Sequence, residues 1–401
     1  MIVARRVAVF ALAMALATSP SRAQDAPPIS AEAAVGQHVH EAPPAGWEWS
    51  IAGRVFFGYN FQYRKFTDFD AWESQNWLMT SAARSFGASR VQLLGMFSAE
   101  FVTLEDIGSP QVFQTGETYQ RAPLIDYQHP HDLFMNLGAD YTYHAGATTV
   151  LAGAYVVGPA PLGPPSFMHR ASAAENPQSP LAHHLLDSTH ITAGVLSGGI
   201  ERAGVRVEGG WFQGREPDEN RTDLDLGALD SWATRLTFAR GPWSAQASGG
   251  RLKTPEATSP YNLTRLTASV SFEKGDADRS LAWMAAFGQN REFFGHFEAY
   301  LFEATLRRSP RHAFYTRVES VAKDILDAGF HPIGFAHTHR QSPIGALTLG
   351  YVRDLHQGIG LGADVTGYYV PANLKESYGS PLSFHVLVRY RGKAGPMTHL
   401  H

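Results

Sequence analysis

The sequence predicts an all-β chain, specifically a transmembrane antiparallel β-barrel of about sixteen strands with short periplasmic turns and long extracellular loops. Three observations carry that prediction. Apolar and polar side chains alternate with period two along most of the chain beyond residue 46. The connections between alternating segments fall into two length classes. The composition is short of charge for a wholly wet surface, with 17% charged residues against 44% hydrophobic ones, yet too polar for membrane helices.

Residues 1–23 read as a secretory signal. Arg5 and Arg6 precede the apolar run from Val7 to Ala17, and Ser21-Arg22-Ala23 offers the small residues of a cleavage site. That run is about half the roughly 20 residues a spanning helix needs. Residues 24–46, rich in Pro and Ala and without apolar period, read as a flexible periplasmic leader. Residues 47–391 form the predicted barrel, and 392–401 a short His-containing tail. The alternation is plain in Leu133 to Tyr143, where Leu133, Met135, Leu137, Ala139, Tyr141 and Tyr143 form one face. It returns in Val91 to Phe101, Val205 to Trp211, Trp232 to Phe238, Leu266 to Phe272 and Phe384 to Tyr390.

Short turns are expected near Ala145-Gly146, Glu201 to Gly204, Gly241-Pro242, Lys274 to Asp278, Ser309-Pro310 and Leu355 to Gln357. Longer polar connections fall near 105–132, 159–188, 215–229, 253–263, 322–343 and 369–380. Short and long alternate, as they do where one end of every hairpin faces the periplasm. A soluble barrel would need one apolar core inside a ring too wide for its own side chains to fill. Turned inside out, the apolar face meets lipid and no strand edge is left open. Trp211, Trp232, Trp243, Trp283, Tyr300, Phe302, Tyr368, Tyr369 and Tyr390 lie near strand ends, where interfacial aromatics belong.

The signal sequence, the two-residue repeat and the terminal Phe384, Val386, Val388 and Tyr390 resemble the porin-type β-barrels of the Gram-negative outer membrane. Such barrels usually stop at the terminal aromatic, whereas this chain continues from Arg391 to His401. Gln128-His129-Pro130-His131-Asp132 and Gly163 to Arg170 are also similar to segments of His-rich outer-membrane proteins without an established activity. The resemblance implies a cell outer membrane location, lipid and lipopolysaccharide as surroundings, and a homotrimer. It also implies that the connection between the fifth and sixth strands folds inward to narrow the lumen. That connection carries Met168, His169, Arg170, Glu175, His183, His184 and Asp187.

Charged residues expected on the inner face are Arg90, Glu100, Asp140, Arg206, Glu208, Arg235, Glu273, Glu303, Arg317, Glu319, Asp364 and Arg389. Both signs are present, which suits small polar solutes or ions. Net charge is −4, so a nucleic-acid partner is not expected. Cysteine is absent, which removes disulfides, thiolate metal sites and thiol catalysis.

Histidine is over-represented, with 18 residues. Chance placement would give about 0.8 His-x-His pairs. Four occur: His38/His40, His129/His131, His337/His339 and His399/His401. In extended backbone both rings of a pair reach one side. Two ligands fall short of the three or four a tight site needs, so completion must come from elsewhere, for example His183 and His184 joining His129 and His131. Imidazole with nearby Met168 and Met397 suits copper, or zinc without the thioethers, rather than calcium or magnesium. An acidic run, Asp218, Glu219, Asp223 and Asp225, is a second, weaker place for divalent cations that bridge lipopolysaccharide.

The function expected is therefore a porin-like conduit with a transition-metal connection through its loops. The alternative is a non-conducting barrel whose loops sequester metal. A rim hydrolase built on Ser188 and His190 is a third reading. The chain lacks a Gly-x-Ser-x-Gly elbow, a His-Glu-x-x-His helix, a P-loop and a dinucleotide fingerprint, so no enzyme is expected.

Overall fold

The computed structural model describes residues 46–257, 259–293, 295–324, 326 and 341–392. The signal, most of the leader, the tail from residue 393, and the pairs His38/His40, His337/His339 and His399/His401 lie outside the described residues.

The barrel strands are β1 (Glu48–Arg64), β2 (Thr67–Glu73), β3 (Asn76–Phe86), β4 (Ser89–Phe97), β7 (Phe134–Ala145), β8 (Thr148–Gly158), β9 (Thr192–Arg202) and β10 (Val205–Phe212). They continue with β11 (Ser231–Arg240), β12 (Trp243–Leu252), β13 (Leu263–Gly275), β14 (Ser280–Glu292), β15 (Gly295–Ser309), β16 (His312–Lys323), β17 (Ser342–His356), β18 (Ile359–Tyr369) and β19 (Leu382–Arg391). All pair antiparallel in sequence order, and β19 closes the ring on β1, with Val55 opposite Tyr390 and Phe61 opposite Phe384. β2 and β3 share one place, because β2 pairs the C-terminal half of β1 and β3 its N-terminal half. The barrel therefore has sixteen strand positions.

Local sequence sets the turns. At Gln357-Gly358 both residues have positive φ, +49° and +83°, the turn whose twist matches a tight hairpin. Asp276 caps the 276–279 turn by accepting the backbone N–H groups of Asp278 and Arg279, each at 2.8 Å. The long connections within the described residues fall where the sequence places them, with two exceptions at the loop end, while most of 322–343 lies outside the described residues. β1 turns into β2 through residues 65–66, and β15 begins only three residues after β14 ends, at Glu292 and Gly295.

The outward face is apolar. Leu196, Ile200, Val207, Trp211, Leu236, Tyr300, Leu349, Val365 and Val386 all stand exposed on it. In this ring such exposure is what a lipid-facing wall requires. Trp211 opposite Trp232 marks the loop end, and Trp243 packed on Phe272 and Trp283 marks the turn end. Tyr368 departs from the expected girdle, being turned inward onto Ser383 Oγ at 2.8 Å. Tyr390 is likewise buried. Met135 departs too. The register of β4 on β7 shifts at Met96/Phe97, and a bulge of this kind moves a side chain to the other face, leaving Met135 buried inside with Met79 and Met96.

The lumen is filled by loops. Residues 98–133 enter it as a two-stranded hairpin, β5 (Ser109–Tyr119) with β6 (Ala122–Gln128), separate from the wall sheet. Inward amides of β1 hold it: Asn60 Nδ2 donates to Pro110 O at 2.8 Å, and Gln62 Oε1 accepts the Val112 N–H at 3.1 Å. Residues 159–191 cross beside it. Val112, Phe113, Leu181, Leu185 and Leu186 then form an apolar core with Met284, Phe297, Leu301, Ile344 and Tyr378 of the wall and its connections. The wall could not fill so wide a ring by itself, and the inserted loops supply what it lacks. The fit is close: a Cβ on Gly288 of β14 would stand 2.3 Å from Leu185 O.

Candidate functional site

Segment 159–191 ties itself to one side of the barrel by buried charge. Arg170 donates from Nε to Glu303 at 2.6 Å and from Nη1 to Asp187 at 2.5 Å. Ser172 Oγ donates to Glu303 at 2.8 Å. Arg307 donates to Glu175 at 2.8 Å, Arg317 to Gln178 O at 2.8 Å, and the Ala182 N–H to Glu319 at 3.0 Å. Arg389 pairs with Glu175 at 3.4 Å and also bonds Asp354. Asp364 accepts from Tyr315 at 2.7 Å and shares a hydrogen bond with His385 at 2.6 Å. Apart from the half-buried Asp354, these carboxylates and guanidiniums are buried, so each needs its counter-charge in place.

The opposite side is less filled. A cavity of about 130 Å³ lies between residues 159–166 and β7–β11, lined by Asp140, Tyr155, Arg206, Glu208 and Arg235 among others. Here charges pair along the wall itself. Arg206 pairs with Glu201 at 2.6 Å, Arg235 with Glu208 at 3.1 Å, and Tyr155 donates to Asp140. Thus Asp140, Arg206, Glu208 and Arg235 border open volume, whereas Glu303, Arg317, Glu319, Asp364 and Arg389 are spent on internal bonds. Arg90, paired with Glu48, sits near the chain end at the turn side, and Glu273 is exposed by the 276–279 turn. Glu100 is not on a strand, since β4 ends at Phe97. Glu100 begins a one-turn helix, Glu100–Thr103, folded inward and buried.

Above these charges, five imidazoles come together from two loops. Ring centroids are 6.3 Å apart for His129 and His131, 6.0 Å for His129 and His184, and 5.7 Å for His131 and His190. His183 lies 5.4 Å from His184 and 5.1 Å from His190. Four of the five were singled out from the sequence as metal or constriction residues and His190 only for a rim hydrolase; across the loops His184 meets His129. The rings do not share one focus, however. Pro130 breaks the extended run between His129 and His131, and each takes its own carboxylate. His131 Nδ1 lies 2.8 Å from Glu100 and His129 Nε2 lies 3.1 Å from Glu117. His183 Nδ1 lies 2.8 Å from Asp187. His184 meets two acids from other loops, Glu216 at 3.4 Å and Glu256 at 3.6 Å. His169 packs its ring against Trp77 instead, with centroids 5.1 Å apart. Met168 lines a small neighbouring cavity beside His131.

Burial decides the charge states. It holds His129 and His190 well below the usual histidine range, aided by the Arg221 guanidinium at His129 and by His183 at His190. Burial also lowers His183, despite the Asp187 carboxylate. A lowered imidazole pKa favours the neutral form, the form that ligates metal. At His184 burial is outweighed by Glu216 and Glu256, which push it up to about 10. At Asp187 burial is outweighed by Arg170 and His183, which hold the carboxyl well below the usual range.

Glu216, Glu256, Glu117 and Arg221 were not legible as site residues, because nothing in their local spacing connects them to histidines in other loops. The acidic run divides. Asp218, Asp223 and Asp225 cluster on the surface, while Glu219 accepts from Thr118 at 2.6 Å and from the Gln120 and Arg121 N–H groups. Among the described residues no hydrogen bond joins Ser188 to His190: Ser188 Oγ accepts from Arg265 at 2.8 Å, and His190 Nδ1 lies 2.8 Å from the Asp187 carbonyl.

No family model matches the sequence, and no curated protein does. Solved structures do. OmpF from Salmonella typhi, in complex with daunomycin, aligns with a TM-score of 0.55 at 9% identity, covering 86% of this chain and 98% of its own. The anion-selective porin from Comamonas acidovorans aligns at 0.52 and 12% identity, covering 86% and 99%. The outer-membrane channel DcaP of Acinetobacter baumannii aligns at 0.50 and 10% identity, covering 87% and 98%. At such identities the likeness is one of fold. The fold is therefore a closed sixteen-stranded antiparallel β-barrel like that of these outer-membrane proteins.

Proposed function

We propose that the protein is a porin-like barrel of the Gram-negative outer membrane that passes small polar solutes or ions, with external-loop histidines engaging a transition metal. One observation carries the reading: a closed ring with an apolar outside encloses a charged wall at Arg206, Glu208 and Arg235 that still borders open volume. Paired opposite charges across such a wall order water and admit small polar species. The inward segment 159–191 is the constriction in this reading. The porin likeness of the fold supports a homotrimer, and the exposed acids 218–225 suit cation-bridged lipopolysaccharide. Planar-bilayer recordings of the folded protein test it: discrete conductance steps are expected, and their absence from a properly folded sample overturns it.

The apolar core around Phe113 and Leu186 favours a second reading, a closed barrel whose loops hold metal without flux. Metal binding by a protein that never conducts would select that one.

A further inference from the structure

We propose that His184, Glu216 and Glu256 form a binding site for one divalent first-row transition ion, zinc or copper, held between three different external loops. The inference deepens the metal part of the proposed function and rests on it only there.

The three side chains offer one nitrogen and two carboxylate oxygens, all within 4.8 Å of one another. His184 Nδ1 lies 3.4 Å from Glu216 and 3.6 Å from Glu256. An ion with bonds of about 2.0–2.1 Å in tetrahedral array sets its ligands about 3.3 Å apart. The observed spacings sit near that edge length. They are long for charge-assisted hydrogen bonds, which run about 2.7–2.9 Å. Accordingly both ring nitrogens of His184 and both oxygens of Glu216 are buried without an aligned hydrogen-bond partner among the described residues. The His184–carboxylate pairs are therefore stretched, and a divalent ion taking the place of the imidazole proton would bond all three donors at short range.

The scaffold holds the donors in place. The Glu216 N–H donates to Pro255 O at 3.0 Å, so that two acids from different loops lie side by side. Asn290 Nδ2 reaches the His184 carbonyl at 3.3 Å. Gly116, with φ of +133°, leaves room for the ring, since a Cβ there would stand 2.3 Å from His184 Nε2. A cavity of about 110 Å³, bordered by His184, Glu256, Asn290 and Glu292, gives access and a place for water as the remaining ligand. Imidazole with carboxylate suits zinc or copper, and the single nitrogen disfavours magnesium or calcium.

The test uses the full chain, folded in detergent and stripped with chelator. His38, His40, His337, His339, His399 and His401 are changed to Gln to remove competing pairs. Calorimetric titration with Zn(II) and with Cu(II) is expected to give one ion per chain, with Mg(II) and Ca(II) giving none. Glu216→Gln with Glu256→Gln, or His184→Gln alone, should weaken binding roughly tenfold or more. Gly116→Ala, which changes no donor, should weaken it by displacing the ring. Co(II) absorption should report a low-symmetry site in the parent and lose it in the variants. No stoichiometric uptake by the parent, or unchanged affinity in variants that retain heat-modifiable migration, overturns the site. Conductance of the stripped protein is read separately: conduction without metal uptake removes the site alone, and uptake without conduction removes the conduit alone.

Discussion

Two sides of one lumen have opposite fates. Along β14–β17 and β19 the inward residues are consumed, in part by the core of Phe113, Leu181 and Leu186 and in part by buried pairs to Arg170, Glu175 and Gln178. Along β7–β11 the inward charges pair with their own wall neighbours and border the cavity beside 159–166, with Arg235 also donating to Gly163 O at 3.3 Å. Inward charge alone therefore does not define a conduction path. What separates the two sides is whether a loop arrives with counter-charges of its own.

The largest effect is expected from Arg170→Ala. It removes the guanidinium that pairs with the buried Asp187 and with Glu303, the latter keeping Arg317 at 3.5 Å, and losing one partner of a buried pair costs about 3–5 kcal/mol. A lower unfolding temperature and a larger single-channel conductance should appear together. Unchanged conductance would mean that the filled side does not restrict passage.

Next comes Phe113→Ala, which opens a void where the hairpin meets the wall, at a cost of about 3 kcal/mol. Urea unfolding measures it, and Phe113→Leu should restore most of the loss.

Acid should act on the same side, and the sign follows from Asp187. Its folded pKa is depressed by Arg170 and His183 against burial, so the stabilisation is present above the ordinary carboxylate range and is lost as pH falls below about 4. More frequent open events, or faster proteolysis within 159–191, are expected there and not between pH 5 and 7. Equal behaviour at both pH values would break the assignment.

The smallest stability effect belongs to the open side. Arg235→Ala removes a partly exposed pair and should cost under about 1 kcal/mol. Its readout is reversal potential, which should shift toward cations while the unfolding midpoint stays nearly still.

Much of the barrel could be read from the chain. Period-two alternation is set by each strand's own two environments, so Phe384 to Arg389 announced its faces without reference to anything distant. The turns followed from Gly and Asp chemistry at single positions. Met135 was misplaced because a bulge leaves no mark in a two-letter polarity pattern. The inserted hairpin β5–β6 read only as a long connection, since its anchors Asn60 and Gln62 lie some fifty residues earlier. At the histidine cluster the nitrogen donors were countable and the acids were not. Which carboxylate meets His184 is decided by how three loops converge, and no local spacing encodes that.

Arg54 of β1 donates to Ala174 O, and Arg389 of β19 grips Glu175 from the last strand. The stopper is therefore latched by the first and final staves of the cask, which meet only when the ring shuts. Its seating is expected to be a late event in assembly, after the two termini have found each other, so an unclosed intermediate should still offer 159–191 to a protease that the finished protein turns away.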